Sequence, residues 1–173
     1  MIHRIAITGP ESTGKSWLAE QLARHYGEPW VPEYSREYLE KLGRPYEMDD
    51  ILYIAAGQFN VENELIKSAK KYIFCDTEFL VTYIWSLVKY GEAHSWLNNM
   101  ATTHRYSHYL LCNTDLPWEF DPLREHPHYR DELLKLYIRE LEERKLPYTL
   151  ISGAGEERLQ NAIRALKDAG LTI

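Results

Sequence analysis

The stretch ITGPESTGKSWLAE, residues 7–20, constrains the fold more than any other part of the chain. Gly9 is followed by four residues and then by Gly14-Lys15-Ser16, where an apolar run ends and a pattern with helical spacing begins. Glycines at these positions let backbone N–H groups curl around an anion, and the N-terminus of the following helix adds positive potential. Such a loop needs a buried strand before it and a helix after it, so it predicts an α/β chain. Lys15 is expected to reach the β- and γ-phosphates of a nucleotide, and Ser16 to ligate Mg²⁺.

The remaining pattern agrees. HRIAITG reads as the first buried strand, and the helix after it is stopped by Gly27. PWVPE reads as a second short strand ending at Glu33, and YSREYLEKLG as a helix closed by Gly43. A long helix is expected from about Asp49, with Asp49 or Asp50 meeting the unpaired N–H groups of its first turn. YIFCDTEF is an apolar strand ending at Asp76, followed by an apolar helix closed by Gly91. SHYLLCNTD and PYTLIS supply two more strands, each followed in turn by a helix. Strands alternating with helices imply a mainly parallel sheet covered on both faces, a three-layer α/β sandwich. The segment between the fourth strand and its helix, about residues 113–130, is rich in Pro and charge and reads as a functional, lid-like loop.

The chain has 173 residues with 45% hydrophobic and 27% charged content, a globular composition, and no repeat or linker divides it, so residues 1–173 read as one domain. No apolar run approaches the ~20 residues of a membrane helix, and the N-terminus shows no signal-peptide pattern. The expectation is a cytoplasmic protein with no membrane partner. The net charge of −6 and the lack of a basic run argue against nucleic acid as a partner; an acidic balance weakly suits a cationic small molecule. Cys75 and Cys112 each end an apolar run and are expected as buried thiols, neither a disulfide framework nor a zinc site. The histidines of THRYSH and EHPHYR lack companions that would complete a metal-ligand set. The sequence leaves the oligomeric state open.

Chemistry is expected at the carboxyl ends of the strands. Asp76 holds the position where a phosphate-loop protein places its acidic partner for Mg²⁺, although DTEF also has the form of a helix cap. Glu33 ends the second strand, so two carboxylates are expected to face one crevice, one for metal and one to take a proton from an attacking hydroxyl. Arg124 and Arg130 in the loop are expected to meet phosphoryl charge. Tyr34, Trp85 and Trp118 lie where an aromatic substrate could stack. There is no Asn-Lys-x-Asp for guanine, and Asp76 is followed by Thr77 rather than the Glu of a mechanical ATPase. A small-molecule kinase fits these features best. A kinase for another nucleoside or small alcohol, and a non-catalytic nucleotide-sensing module, remain alternatives.

TGPESTGKS, VPEYSREYL, FCDTEFL, TDLPWEFDPLRE and ISGAGEERLQNAI together resemble the ribosylnicotinamide kinase domain of the NadR family, in order through nearly the whole chain. The resemblance implies a phosphate-loop fold like that of nucleoside kinases, with parallel strand order 2-3-1-4-5. It also implies ATP-dependent phosphorylation of the 5′-hydroxyl of nicotinamide riboside, with ATP and Mg²⁺ as cofactors. On it, Gly9, Pro10, Glu11, Ser12, Thr13, Gly14, Lys15, Ser16 and Trp17 bind the ATP phosphates, and Asp76 with Ser16 handles Mg²⁺ and binds or deprotonates the riboside. Glu33, Tyr34 and Arg36 belong to the riboside side, and Asp115, Trp118, Asp121 and Arg124 to the closing loop. Gly153 and Gly155 let the backbone approach the adenine. The chain departs from the family in two places. The nearest string to the adenylyltransferase signature His-x-Gly-His is His25-Tyr26-Gly27-Glu28, which lacks the second histidine, and the family's Asp-Gly-x-Arg loop reads Asp121-Pro122-Leu123-Arg124.

Overall fold

Five strands form one sheet in the order β2-β3-β1-β4-β5, every neighbouring pair parallel. The computed structural model describes residues 1–125 and 128–171, so His126 and Pro127 of the expected lid loop lie outside the described residues. The strands are β1 (His3–Thr8), β2 (Trp30–Val31), β3 (Tyr72–Asp76), β4 (His108–Cys112) and β5 (Tyr148–Ile151). Between and after them run α1 (Lys15–Tyr26), α2 (Tyr34–Leu42), α3 (Met48–Leu65), α4 (Phe79–Tyr90), α5 (Ser95–Thr103), α6 (Arg130–Glu143) and α7 (Gly155–Asp168). The strand order matches the expectation. No described helix is long and apolar enough to cross a membrane.

The two-residue period of the strands divides the core into two layers. Ile5 and Ile7 of β1, Tyr72 and Phe74 of β3 and Leu110 of β4 pack with Leu18 and Leu22 of α1 and Leu159 and Leu166 of α7. Ala6, Ile73, Cys75 and Leu111 point the other way, against Leu80 and Ile84 of α4 and Tyr137 and Leu141 of α6. Both cysteines are fully buried, as the apolar runs suggest, and they sit in opposite layers.

One boundary differs from the sequence-based expectation. β2 stops at Val31, before Glu33, because Pro32 has no N–H to continue a ladder. Glu33 becomes the residue before the first turn of α2. The start of α3 is a reciprocal cap: the Glu47 side chain accepts from the Asp50 N–H, and the Asp50 carboxylate accepts from the Glu47 N–H at 2.7 Å. Asp50 also accepts two bonds from Arg44, at 2.7 and 3.0 Å. The guanidinium holds the Asp50 carboxyl down at about 2.

Gly57 lies inside α3, where alanine would ordinarily favour the helix by about 1 kcal/mol. A Cβ there would come within 2.1 Å of the Tyr34 ring, so the glycine is a seat for the first residue of α2. Gly57→Ala is expected to lower stability by roughly 1–3 kcal/mol through overpacking, against its gain in helix propensity. Urea denaturation of the variant checks this, and a stabilised variant would show that the ring moves aside freely.

Candidate active site

The central strand β1 ends at Thr8, and the chain turns at once into the phosphate loop. Gly9 has φ +130°, and a Cβ on it would lie 2.8 Å from the Cys112 carbonyl oxygen, so only glycine lets the loop leave β1 against β4. Thr13 Oγ1 donates to the Pro10 carbonyl at 2.8 Å, and Lys15 Nζ donates to the same oxygen at 2.7 Å. The loop is thus shaped by its own residues, with the ammonium at its base and α1 beginning at Lys15.

Asp76 continues the row of Tyr72 and Phe74, so the pleat brings its side chain out on the α1 side of the sheet, at the phosphate loop. It is fully buried, and neither carboxylate oxygen has a hydrogen-bond partner among the described residues. Burial and then the Glu33 charge push its carboxyl well above the usual range, while Ser16, Lys15 and Arg36 pull partly the other way. The helix cap is a different residue. Glu78 accepts from the Leu80 N–H at 2.6 Å and from Thr8 Oγ1 at 2.9 Å, and its carboxyl is raised by burial to about 7. Between the two, Thr77 is held at φ +74°, a conformation that costs a β-branched residue about 1–3 kcal/mol. The Asp76 side chain is therefore not used as the cap.

An unpaired buried carboxylate beside Ser16 fits Mg²⁺, which binds through one or two protein oxygens and completes its shell with phosphate and water. Among the described residues there is no cluster of three or more His, Cys, Asp or Glu that could hold a metal without such help.

A cleft of about 620 Å³ opens over the loop. Residues 9–17 form its floor, Glu33 and Arg36 one side, and Arg124 the roof. Leu39, Val81, Ile84, Trp85 and Val88 make an apolar wall. Glu33 is oriented by Ser35, whose hydroxyl donates to it at 2.7 Å. The Trp85 indole N–H donates to Tyr46 Oη at 3.0 Å, and the Tyr46 hydroxyl donates to Glu125 at 2.7 Å.

Other expected residues are placed as supports. Tyr34 packs its ring on Gly57 and does not line the cleft. Trp118 lies under two guanidinium groups, Arg124 at 6.0 Å and Arg130 at 5.8 Å from its ring centre. Arg130 donates to the Ser12 carbonyl at 2.9 Å and Arg124 to the Glu119 carbonyl at 2.5 Å, so both arginines hold the loop over the phosphate site. Asp121 takes the Arg36 guanidinium at 2.9 Å, joining α2 to the segment between β4 and α6. The Leu123 N–H and that guanidinium hold the Asp121 carboxyl below its usual range. Asp115 accepts from the Gly153 N–H at 2.7 Å and from Arg158 at 2.5 Å, tying that segment's first residues to the β5–α7 turn that contains Gly153 and Gly155.

Arg158 and Gln58 support this site from outside the cleft, and neither was singled out as a candidate residue. Arg158 is 1% exposed and also donates to the Ile151 and Asn113 carbonyls at the ends of β5 and β4. Its signals were a charge on the inward face of an amphipathic helix and its place inside ISGAGEERLQNAI.

A carboxyl raised on folding binds a proton that the unfolded chain has lost, so its contribution to stability falls as pH rises from the ordinary carboxylate range through the raised value. Asp76→Asn removes that term at one site. The variant is expected to melt higher than the parent near pH 7.5 without ligand, by roughly 1–3 kcal/mol, to lose this advantage near pH 4, and to lose Mg²⁺-dependent turnover. Thermal melts at the two pH values check it; a variant that melts lower at both would mean a structural role for the carboxylate.

A model of the AAA domain family matches residues 4–158. The trifunctional NAD biosynthesis/regulator protein NadR of Escherichia coli (strain K12) is 28% identical over 156 residues, covering 87% of this chain and 38% of that protein. Two crystal structures of NadR superpose over 99% of the chain. The complex with NR has TM-score 0.80 and 21% identity, the complex with NAD and AMP-PNP 0.77 and 22%, and the match covers 52% and 50% of those chains. Deoxyadenosine kinase from M. mycoides superposes with TM-score 0.64 at 13% identity, over 95% of this chain and 99% of that one. The chain thus spans from about a third to about half the length of its NadR relatives, within the fold shared by nucleoside kinases. With the phosphate loop and the acidic end of β3 both inside the matched segment, the chain belongs to the AAA domain family (AAA_28) of P-loop proteins and is a homologue of NadR.

Proposed function

We propose that the chain is an ATP-dependent kinase that phosphorylates the 5′-hydroxyl of nicotinamide riboside to give the mononucleotide, in the cytoplasm. One observation carries this: a phosphate loop, Glu33 and an apolar wall with Trp85 line one cleft, and the buried, unpaired carboxylate of Asp76 lies beside that loop's Lys15 and Ser16. The solved NadR complexes with NR and with AMP-PNP support the choice of acceptor and donor.

In this reading residues 9–17 cradle the triphosphate, and Lys15 leaves the Pro10 carbonyl for the migrating phosphoryl. Ser16 and Asp76 hold Mg²⁺, which when bound neutralises phosphate charge. Glu33, more exposed than Asp76 and steadied by Ser35, is the base that accepts the 5′-hydroxyl proton. Arg124, carried on Trp118, meets the charge that develops during transfer. The Trp85 N–H is already committed to Tyr46, which leaves the ring face for the pyridinium. A desolvated cation–aromatic contact contributes ~2 kcal/mol, which would rank this acceptor above neutral nucleosides.

A competition of nicotinamide riboside against uridine, cytidine and thymidine with ATP and Mg²⁺, read by product mass, is expected to yield the nicotinamide mononucleotide first. A preference for a neutral pyrimidine nucleoside would overturn the acceptor and leave a kinase; no transfer to any of them would favour a nucleotide-sensing module. Lys15→Ala is expected to abolish transfer while changing stability by about 0.5 kcal/mol or less. Arg124→Ala should lower kcat roughly 10²–10³-fold with ATP binding little altered, and equal losses in both would make it a ground-state phosphate clamp.

A further inference from the structure

Gln58 lies outside the phosphate loop and outside the cleft lining. It is 6% exposed, on the inward side of α3 with Ile51, Ile54 and Ala55, where an apolar residue would pack without any hydrogen-bond demand. A buried amide at such a position is costly unless its donors and acceptor are all matched. Here they are. Nε2 donates to the Pro32 carbonyl at 3.2 Å and the Asp76 carbonyl at 3.1 Å, with a longer contact to the Thr77 carbonyl at 3.4 Å. Oε1 accepts from the Tyr34 N–H at 2.8 Å.

Every one of these backbone groups adjoins a carboxylate of the site. Pro32 and Tyr34 are the neighbours of Glu33 on either side, and the other two groups are the carbonyl of Asp76 itself and that of Thr77 next to it. The β2–β3 ladder cannot do this work, because it pairs only Trp30 with Phe74 and Val31 with Cys75 before Pro32 ends it. Glu33 and Asp76 also repel each other, so the two segments need a tie where the ladder is missing. Gly57 supplies the adjoining seat for the Tyr34 ring, so two consecutive residues of α3 receive the start of α2.

We propose that Gln58 is a positioning residue for phosphoryl transfer: its side-chain amide bridges the β2–α2 junction to the end of β3 and so sets the placement of Glu33 relative to Asp76. This rests on the kinase function proposed above. The acceptor hydroxyl is delivered from the Glu33 side and the phosphoryl from the Asp76 side, so the bridge fixes the approach of the two reacting groups. A displacement of about 1 Å in such a geometry can cost 10²-fold in rate.

The test is Gln58→Met in the full chain, which keeps the length of the side chain and removes all four bonds. With ATP, Mg²⁺ and the acceptor that the parent phosphorylates, kcat is expected to fall about 10- to 100-fold, while the KM for ATP stays within about twofold of the parent. In combination with Glu33→Gln, whose own loss is expected at roughly 10²–10⁴-fold, the double variant should be little slower than Glu33→Gln alone, because groups acting as a unit are not additive. If Gln58→Met does not fold, Gln58→Glu keeps the acceptor for Tyr34 and leaves at most the single O–H of a protonated carboxyl in place of the amide's two donors, and a drop in kcat is again expected. A Gln58 variant with parental kcat per folded molecule, or losses that multiply in the double variant, would overturn the inference and leave the kinase standing. Failure of both variants to fold would assign Gln58 to stability alone and overturn it too. A parent that phosphorylates no acceptor would overturn the kinase and the inference together.

Discussion

A buried carboxyl group that no hydrogen bond of the fold satisfies sits at the end of β3. Asp76 is buried beside the phosphate loop with both oxygens unpaired, and the protein bears the desolvation cost in the absence of ligand. The neighbouring residues are arranged to make that tolerable without removing it. Lys15, Ser16 and Arg36 lower the cost, and Glu33 raises it again. Capping of α4 falls to Glu78, two residues on, which is anchored across the sheet to Thr8 at the last position of β1. The strained Thr77 joins the two carboxylates, one bound into the scaffold and one kept available.

The architecture was legible in the sequence because it is written in periodicity. The two-residue alternation of β1 and β3 and the glycines closing α1, α2 and α4 are local signals, and local signals survive folding. The phosphate loop and Asp76 were legible for the same reason, since a strand end and a helix start sit on either side of them. Placement across long distances was not. The two arginines over the Trp118 ring, and the bonds from Arg158 and the Gly153 N–H to Asp115, join residues far apart in the chain and left no local pattern. Gln58 had no signal at all, because its four partners are backbone groups from two other elements. DTEF was ambiguous in sequence because Asp76 and Glu78 both suit a cap, and only the hydrogen bonds assign it.

The segment between β4 and α6 is held against the phosphate loop by its own arginines. Arg124 and Arg130 bond to carbonyls of Glu119 and Ser12, and the Glu119 N–H donates to Ser12 Oγ at 2.9 Å. On its outer side, Glu125 accepts from Lys89 of α4 and from Tyr46, and Tyr46 in turn receives the Trp85 N–H. Burial, and then that carboxylate, push the Tyr46 phenol up to about 12. A continuous run of hydrogen bonds therefore joins the apolar wall of the cleft to the roof above the phosphate loop.

The strand order also governs when the site comes into being. β1 is made first, yet its two partners are strands that begin at Tyr72 and His108. A chain emerging from the ribosome exposes the apolar strand and the glycine-rich loop behind it long before either neighbour exists, and such non-local pairing is slow to form. The carbonyl of Cys112, against which Gly9 turns, is among the last parts of that sheet centre to arrive. The phosphate loop is thus a product of completed folding, and a nucleotide that needs the loop selects only finished molecules.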